Sequence, residues 1–198
     1  MKMKLLVALL AGVVAVPAFA QSAGDLLVRV RAVHIDPEDK SSGEVLPADA
    51  VTVSAKTIPE IDFSYFFTKN IAAELILTVP QKHDVEVNGT KIGTFKHLPP
   101  TLTLQYHFMP DATFRPYLGA GVNYTYISDV ELGGLTLERS STGFAVQAGF
   151  DYAISKDLVL NVDVKKIQLR VDVEAAGSKI TELTLDPLLV GVGIGKRF

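Results

Sequence analysis

The segment from Leu188 to Phe198 alternates with a period of two, and no other feature of the chain narrows its fold as much. Leu188, Val190, Val192, Ile194 and Phe198 fall on one parity. Leu189, Gly191, Gly193, Gly195 and Arg197 fall on the other. Residues two apart share one face of a strand, so this is a strand with a large apolar face and a face made mostly of glycine. Chain ends usually fray, and an apolar strand at an end needs a partner. Within a bilayer every backbone donor and acceptor must be satisfied by the protein itself. A last strand of this kind is therefore expected to close a sheet into a barrel.

The other end fits export. Lys2 and Lys4 precede an apolar run from Leu5 to Val16, which is too short to cross a bilayer as a helix. Pro17 would break a helix there, and Ala18-Phe19-Ala20 is a small-x-small cleavage site. Residues 1–20 are thus expected to be a cleaved leader, and residues 21–198 a single mature barrel domain. There is no cysteine, which excludes disulfides, thiolate catalysis and cysteine metal sites. A formal net charge of -3 argues against a nucleic-acid partner.

Seven more segments alternate in the same way: Leu26 to Ile35, Ile58 to Phe67, Ile71 to Val79, Pro100 to Phe108, Arg115 to Tyr126, Gly143 to Ile154 and Leu158 to Val173. The last strand is read as Leu183 to Phe198. Three short turns, at Thr68-Lys69-Asn70, around Pro110-Asp111 and at Ser155-Lys156-Asp157, alternate with four long connections. Those are Asp36 to Thr57, Pro80 to Pro99, Ile127 to Thr142 and Glu174 to Glu182. Short turns on one side and long loops on the other predict an all-β, eight-stranded antiparallel transmembrane barrel, with the short turns periplasmic. A soluble eight-stranded barrel would show the same alternation with its apolar face inside. The aromatics near segment ends (Phe67, Phe108, Phe114, Tyr126 and Phe198) decide for a membrane, where such girdles mark the interfaces. In the seventh segment the apolar parity changes at Lys165-Lys166, from Leu158, Leu160, Val162 and Val164 to Leu169, Val171 and Val173. That predicts a β-bulge.

Five stretches carry a resemblance to a known family: FSYFFTKNIAAELIL (Phe63 to Leu77), TFKHLPPTLTLQYHF (Thr94 to Phe108), RPYLGAGVNYT (Arg115 to Thr125), GFDYAISKDLVLNVDVKK (Gly149 to Lys166) and DPLLVGVGIGKRF (Asp186 to Phe198). Together and in order, they resemble the OmpW family of outer-membrane proteins. The resemblance implies a narrow barrel in the outer membrane of a Gram-negative bacterium that passes small hydrophobic molecules; the AlkL branch is linked to alkane uptake. It also implies contact with the barrel assembly machinery through the C-terminal strand, with Phe198 as the assembly signal. Two departures stand out. The chain has no tryptophan, where relatives commonly carry one at the place of Leu188, and Lys196 stands at a usually aromatic position. Lys196 is tolerable on the apolar face because it can snorkel to the interface.

The polar parity carries Arg29, Arg31, Arg115, Lys165 and Arg197 against Glu60, Asp62, Glu74, Asp151 and Asp163. Eight strands leave an interior that side chains can fill, and charges there need partners, so these residues are expected to form a plug. An ion path lined by them is the alternative. Hydrophobic cargo would then enter from outside into an apolar upper lumen (candidates Leu27, Val33 and Ile35) and leave sideways into the bilayer. Pro59, Pro99 and Pro100 lack backbone donors and are candidates for opening the strand wall, or they simply end strands. The only histidines are His34, His83, His97 and His107. His83, Asp84 and Glu86 have no specific metal spacing, and no serine–histidine pair is set by the sequence. Neither a metal, a cofactor nor an enzymatic activity is expected. The rival function is a structural or surface-receptor barrel that makes phage, bacteriocin or adhesion contacts through its loops.

Overall fold

The computed structural model describes residues 20–38, 40–42, 51–87, 89–175 and 177–198. In chain order its strands are β1 (Leu26–Asp36), β2 (Lys40–Ser42), β3 (Val51–Val53), β4 (Lys56–Phe66), β5 (Ile71–Thr78), β6 (Gln81–Val87), β7 (Thr90–Leu98), β8 (Thr101–His107), β9 (Phe114–Glu131), β10 (Leu135–Leu137), β11 (Ser140–Ala153), β12 (Leu158–Ile167), β13 (Arg170–Ala175), β14 (Ser178–Thr184) and β15 (Leu188–Arg197). The leader expected over residues 1–20 lies, but for Ala20, outside the described residues.

Eight strands form a closed antiparallel barrel. The order around it is β1, β4, β5, β8, β9, β11, β12 and β15, and β15 pairs back with β1. Closure removes the free sheet edges that would be untenable in lipid. Its last pair is reinforced by mutual backbone bonds between Leu26 and Phe198, 3.2 and 2.9 Å.

The glycine face of β15 turns inward and makes room for the largest interior side chains. Gly195 stands opposite Arg29, and Gly193 opposite Arg31. A Cβ on Gly193 would run into the Val30 carbonyl and the stem of Arg31, and one on Gly195 would meet the Arg29 stem at 2.9 Å. The alternation of β15 is therefore set by what must fit across the barrel.

At the end away from the short turns, the strands outgrow the barrel. β9 continues upward and carries β7, β6 and β3 in turn, while β10, β13, β14 and β2 form a second sheet. The stretches read as long connections are thus partly strand. The closing strand is also shorter than expected, because β14 ends at Thr184 and β15 begins at Leu188. Of the long connection read from Asp36 to Thr57, residues 39 and 43–50 lie outside the described residues.

The bulge predicted at Lys165-Lys166 is absent. The β11–β12 register runs without a shift from Ala153↔Val159 to Ala145↔Ile167. Val159, Asn161, Asp163, Lys165, Ile167, Leu169, Val171 and Val173 are all buried, in unbroken alternation. What changes is the solvent. Below Lys165 the outward residues are apolar and face lipid. Above it they are Lys166, Gln168, Arg170 and Asp172, and the apolar residues turn inward around a water-exposed extension.

Candidate functional site

The barrel interior holds a buried ionic network. β1 contributes Arg29 and Arg31, consecutive inward positions. Arg29 pairs with Asp62 at 2.7 Å, with Asp151 at 2.8 Å and with Glu74 at 3.4 Å. Arg31 pairs with Glu60 and Asp62, each at 2.9 Å, and with Glu74 at 3.1 Å. Lys165 reaches Asp163 at 3.6 Å and Glu60 at 3.9 Å. Eight of the ten charges expected to gather do so. Arg115 and Arg197 sit nearer the short turns: the Arg115 Nε donates to the Ala112 carbonyl at 2.8 Å, and Arg197 lies 3.6 Å from Asp25.

Neutral residues complete the network. The Tyr117 hydroxyl donates to Asp163 at 2.9 Å and accepts from Asn161 at 3.1 Å, and Asn161 also donates to Asp151 at 2.9 Å. The Gln147 amide donates to Glu74 at 2.7 Å, the Thr103 hydroxyl donates to the same carboxylate at 3.1 Å, and Ser64 accepts from Arg29 at 2.8 Å. Gln147, Thr103 and Ser64 stood on the polar parity of their segments. Tyr117 and Asn161 were missed, although they share the inward parity of Arg115 and Asp163. His107 points inward beside Gln105, at 3.1 Å, as its parity required. The network is buried inside the barrel, where charges removed from water need such partners.

The three candidate lumen residues do not share a chamber. Leu27 lies on the short-turn side of the plug, packed with Phe66, Ala72 and Val159. Val33 and Ile35 lie on the other side with Ile58, Ala145, Ile167 and Leu189. Above them a second apolar cluster fills the extension, including Phe95, Ile127, Leu169, Val171 and Leu185. Between the two clusters is a small cavity of about 20 Å³, lined by Ile35, His97, Pro99, Thr125, Ile167, Leu169, Pro187 and Leu189. That is room for about one water molecule.

Beside this cavity the strand wall is interrupted. The last β5–β8 pair is Ile76↔Thr101, and pairing resumes only at Gln81↔His97 between β6 and β7. Among the described residues no register pair joins Leu77–Pro80 to Leu98–Pro100. The carbonyls of Pro99 and Pro100 turn the other way: the Asn123 amide donates to both, at 3.3 and 3.2 Å, and the Tyr124 N–H donates to Pro100 at 3.0 Å. Pro59 sits inside an intact β1–β4 ladder opposite Ala32. Its carbonyl accepts from the Thr78 hydroxyl at 3.0 Å. An antiparallel residue points its N and O to the same side, so the donor missing at Pro59 faces the upper end of β5. The top of β5 is thus flanked by proline on both sides.

His83 and His97 stack in the extension, with ring centroids 4.7 Å apart and planes 11° from parallel. Burial lowers the pKa of both, that of His97 to about 3, and each is disfavoured further by the nearby Lys56. His83 is hydrogen-bonded to the Ser54 carbonyl at 2.9 Å, and Asp84 is paired with Lys91 at 2.8 Å. His34 lies on the exposed face, 3.1 Å from the Thr57 hydroxyl. At the short-turn end Phe198 is exposed, and Lys196 Nζ stands 5.1 Å over its ring, which gives that cation a partner at the membrane edge.

Known proteins share this architecture. The OmpW family profile matches residues 22–198. An uncharacterized outer-membrane protein, y4mB, of Sinorhizobium fredii is 42% identical over 86% of this chain and 79% of its own length. The dibenzothiophene metabolism operon protein PahQ of Pseudomonas aeruginosa is 28% identical, over 79% of each chain. The crystal structure of the outer membrane protein OprG from Pseudomonas aeruginosa superposes with a TM-score of 0.79 at 31% identity, covering 90% of this chain and 98% of that one. The chain belongs to the OmpW family and is a β-barrel of the Gram-negative outer membrane.

Proposed function

We propose that this barrel admits small hydrophobic molecules from outside into the apolar upper lumen and releases them sideways into the bilayer between β5 and β8. The observation that carries the proposal is the unpaired stretch of wall, Leu77–Pro80 against Leu98–Pro100, directly beside the apolar cavity at Pro99. A route straight down would have to disrupt the network around Arg29 and Arg31, at roughly 3–5 kcal/mol for a buried pair that is broken. A route through the wall breaks no backbone hydrogen bond there and ends among lipid-facing Leu77, Val79 and Leu102, all exposed. The cavity is narrow, so cargo must spread its walls as it passes. The relative PahQ is named for an operon of dibenzothiophene metabolism, and a small apolar heteroaromatic of that kind is consistent with such cargo.

Residues 1–20 serve as the export leader, and residues 21–198 do the work. Insertion goes through the barrel assembly machinery, with Phe198 on the closing strand as its signal. No catalytic step is assigned to any residue. Uptake of a radiolabelled alkane into cells or liposomes tests the function. Faster uptake with the protein is expected; equal uptake with and without it contradicts the proposal.

A further inference from the structure

One cavity lies outside the lumen. It is a groove of about 410 Å³ on the outer extension, lined by Tyr126, Ile127, Ser128, Asp129, Val130, Thr136, Leu137 and Arg139. It exists because the extension is built from two sheets. β9 pairs with β7 on one side, whereas β10 pairs with β13, so β9 and β10 share no ladder and leave a seam between them.

The depth of the seam matters. Tyr124 and Tyr126 are exposed on the lipid-facing side of β9, and next above them on the same face come Ser128 and Val130, half buried. The groove therefore opens just above the outer aromatic belt, where headgroups of the outer leaflet lie. Its volume falls in the range of small-ligand sites. Its chemistry is hydroxyls from Ser128, Thr136 and Tyr126, an aromatic face, and a guanidinium. Asp129 is already neutralised by Lys96 at 2.7 Å. Arg139 is exposed, and among the described residues its side chain makes no hydrogen bond or ion pair. Its backbone carbonyl is fixed by the Ile127 N–H at 2.8 Å. The result is a held backbone and a fork-shaped cation beside hydroxyls and an aromatic ring.

We infer that this seam binds the phosphorylated sugar headgroup of the outer-leaflet glycolipid, with Arg139 on a phosphate and Tyr126, Ser128 and Thr136 on the sugar. A planar guanidinium matches a phosphate in two-point contact, and hydroxyls with an aromatic face match a sugar ring. The ligand is the bilayer's own lipid because the groove opens sideways at headgroup depth. Its acyl chains would run down past Tyr124, Val122 and Phe144, all exposed on the same side.

The test is titration of the full mature barrel in detergent micelles with bisphosphorylated lipid A, read by native mass spectrometry. Arg139→Gln should weaken binding roughly tenfold or more, as expected for loss of a charge-assisted contact. Arg139→Lys should recover part of it. Arg170→Gln, which removes another exposed cation outside the groove, should leave it unchanged. Lipid A stripped of phosphate should bind the native protein as weakly as intact lipid A binds the Arg139→Gln form. Equal binding by native and Arg139→Gln proteins would overturn the inference. So would phosphatidylglycerol binding as tightly as lipid A with the same dependence on Arg139, because the sugar would then contribute nothing. Circular dichroism and the heat-modifiable shift on gels confirm that each variant is folded before titration.

Discussion

The membrane-embedded barrel and the extension above it are built from consecutive stretches of chain with one unbroken alternation, yet they are opposites. Along β12 and β13 the inward residues are Asn161, Asp163 and Lys165 in the membrane, then Ile167, Leu169, Val171 and Val173 in the extension. The outward residues are Leu160, Val162 and Val164, then Lys166, Gln168, Arg170 and Asp172. β9 repeats the pattern, with Asn123 and Thr125 inward before Ile127, and Tyr124 and Tyr126 outward before Ser128. The in-and-out alternation is unchanged across the boundary, although the strand partners are not. Only the medium outside differs, and with it which parity holds the apolar residues. In lipid the interior must supply its own polar partners; in water the hydrophobic effect fills the interior.

The plug gives the largest effect by which this contrast can be broken. Arg29→Met leaves Asp62 and Asp151 without their main partner and is expected to cost about 3–5 kcal/mol. Urea unfolding of the barrel in lipid vesicles measures it; a loss below about 1 kcal/mol would mean that the charges are solvated and not a plug. Next comes a charge on the lipid-facing side. Leu104→Lys should cost roughly 2–4 kcal/mol in the same assay if that face is in hydrocarbon.

The histidine stack probes the extension alone. An unfolded histidine takes up its proton near pH 6.5, whereas His97 resists until about pH 3. Below about pH 6.5 the unfolded state therefore binds more protons. The local stability that comes from keeping His97 neutral is full above that pH and is lost as pH falls. The loss should be on the order of 3 kcal/mol by pH 4. Hydrogen exchange, corrected for intrinsic rate, should show β6 and β7 losing protection at pH 4 while β12 and β15 keep theirs. Uniform protection at both pH values would contradict this. The smallest effect is the counterpart of Leu104→Lys: Gln168→Lys, outward but in the extension, should change stability by less than about 0.5 kcal/mol. Similar costs at the two positions would erase the distinction between the regions.

Much of this was legible in the chain because a period of two is a local property. The eight segments, their short turns and the inward set from Arg29 to Arg197 follow from alternation. The change of parity at Lys165-Lys166 was also visible, but a register slip and a change of medium leave the same trace in a sequence. Only the unshifted pairing of Ala145 with Ile167 separates them. Leu27 shares the parity of Val33 and Ile35, but parity says nothing of height along the barrel, and the plug falls between them. Tyr117 was hidden because a tyrosine near a segment end reads as a girdle residue unless its parity is followed. The prolines were visible as missing donors. The side each one faces depends on Asn123 and Thr78 in neighbouring strands, which no local pattern contains.

The two regions meet where the wall is unpaired, and that junction is where cargo is proposed to leave. Continued, the β5–β8 register would set Leu77 opposite Pro100. The chain has no cysteine of its own, so Leu77→Cys with Pro100→Cys provides a clean reversible staple across the interruption. Alkane uptake by liposomes carrying the stapled protein should fall to the protein-free rate when the disulfide is formed and return on reduction. Undiminished uptake with the disulfide closed would contradict lateral release at this site.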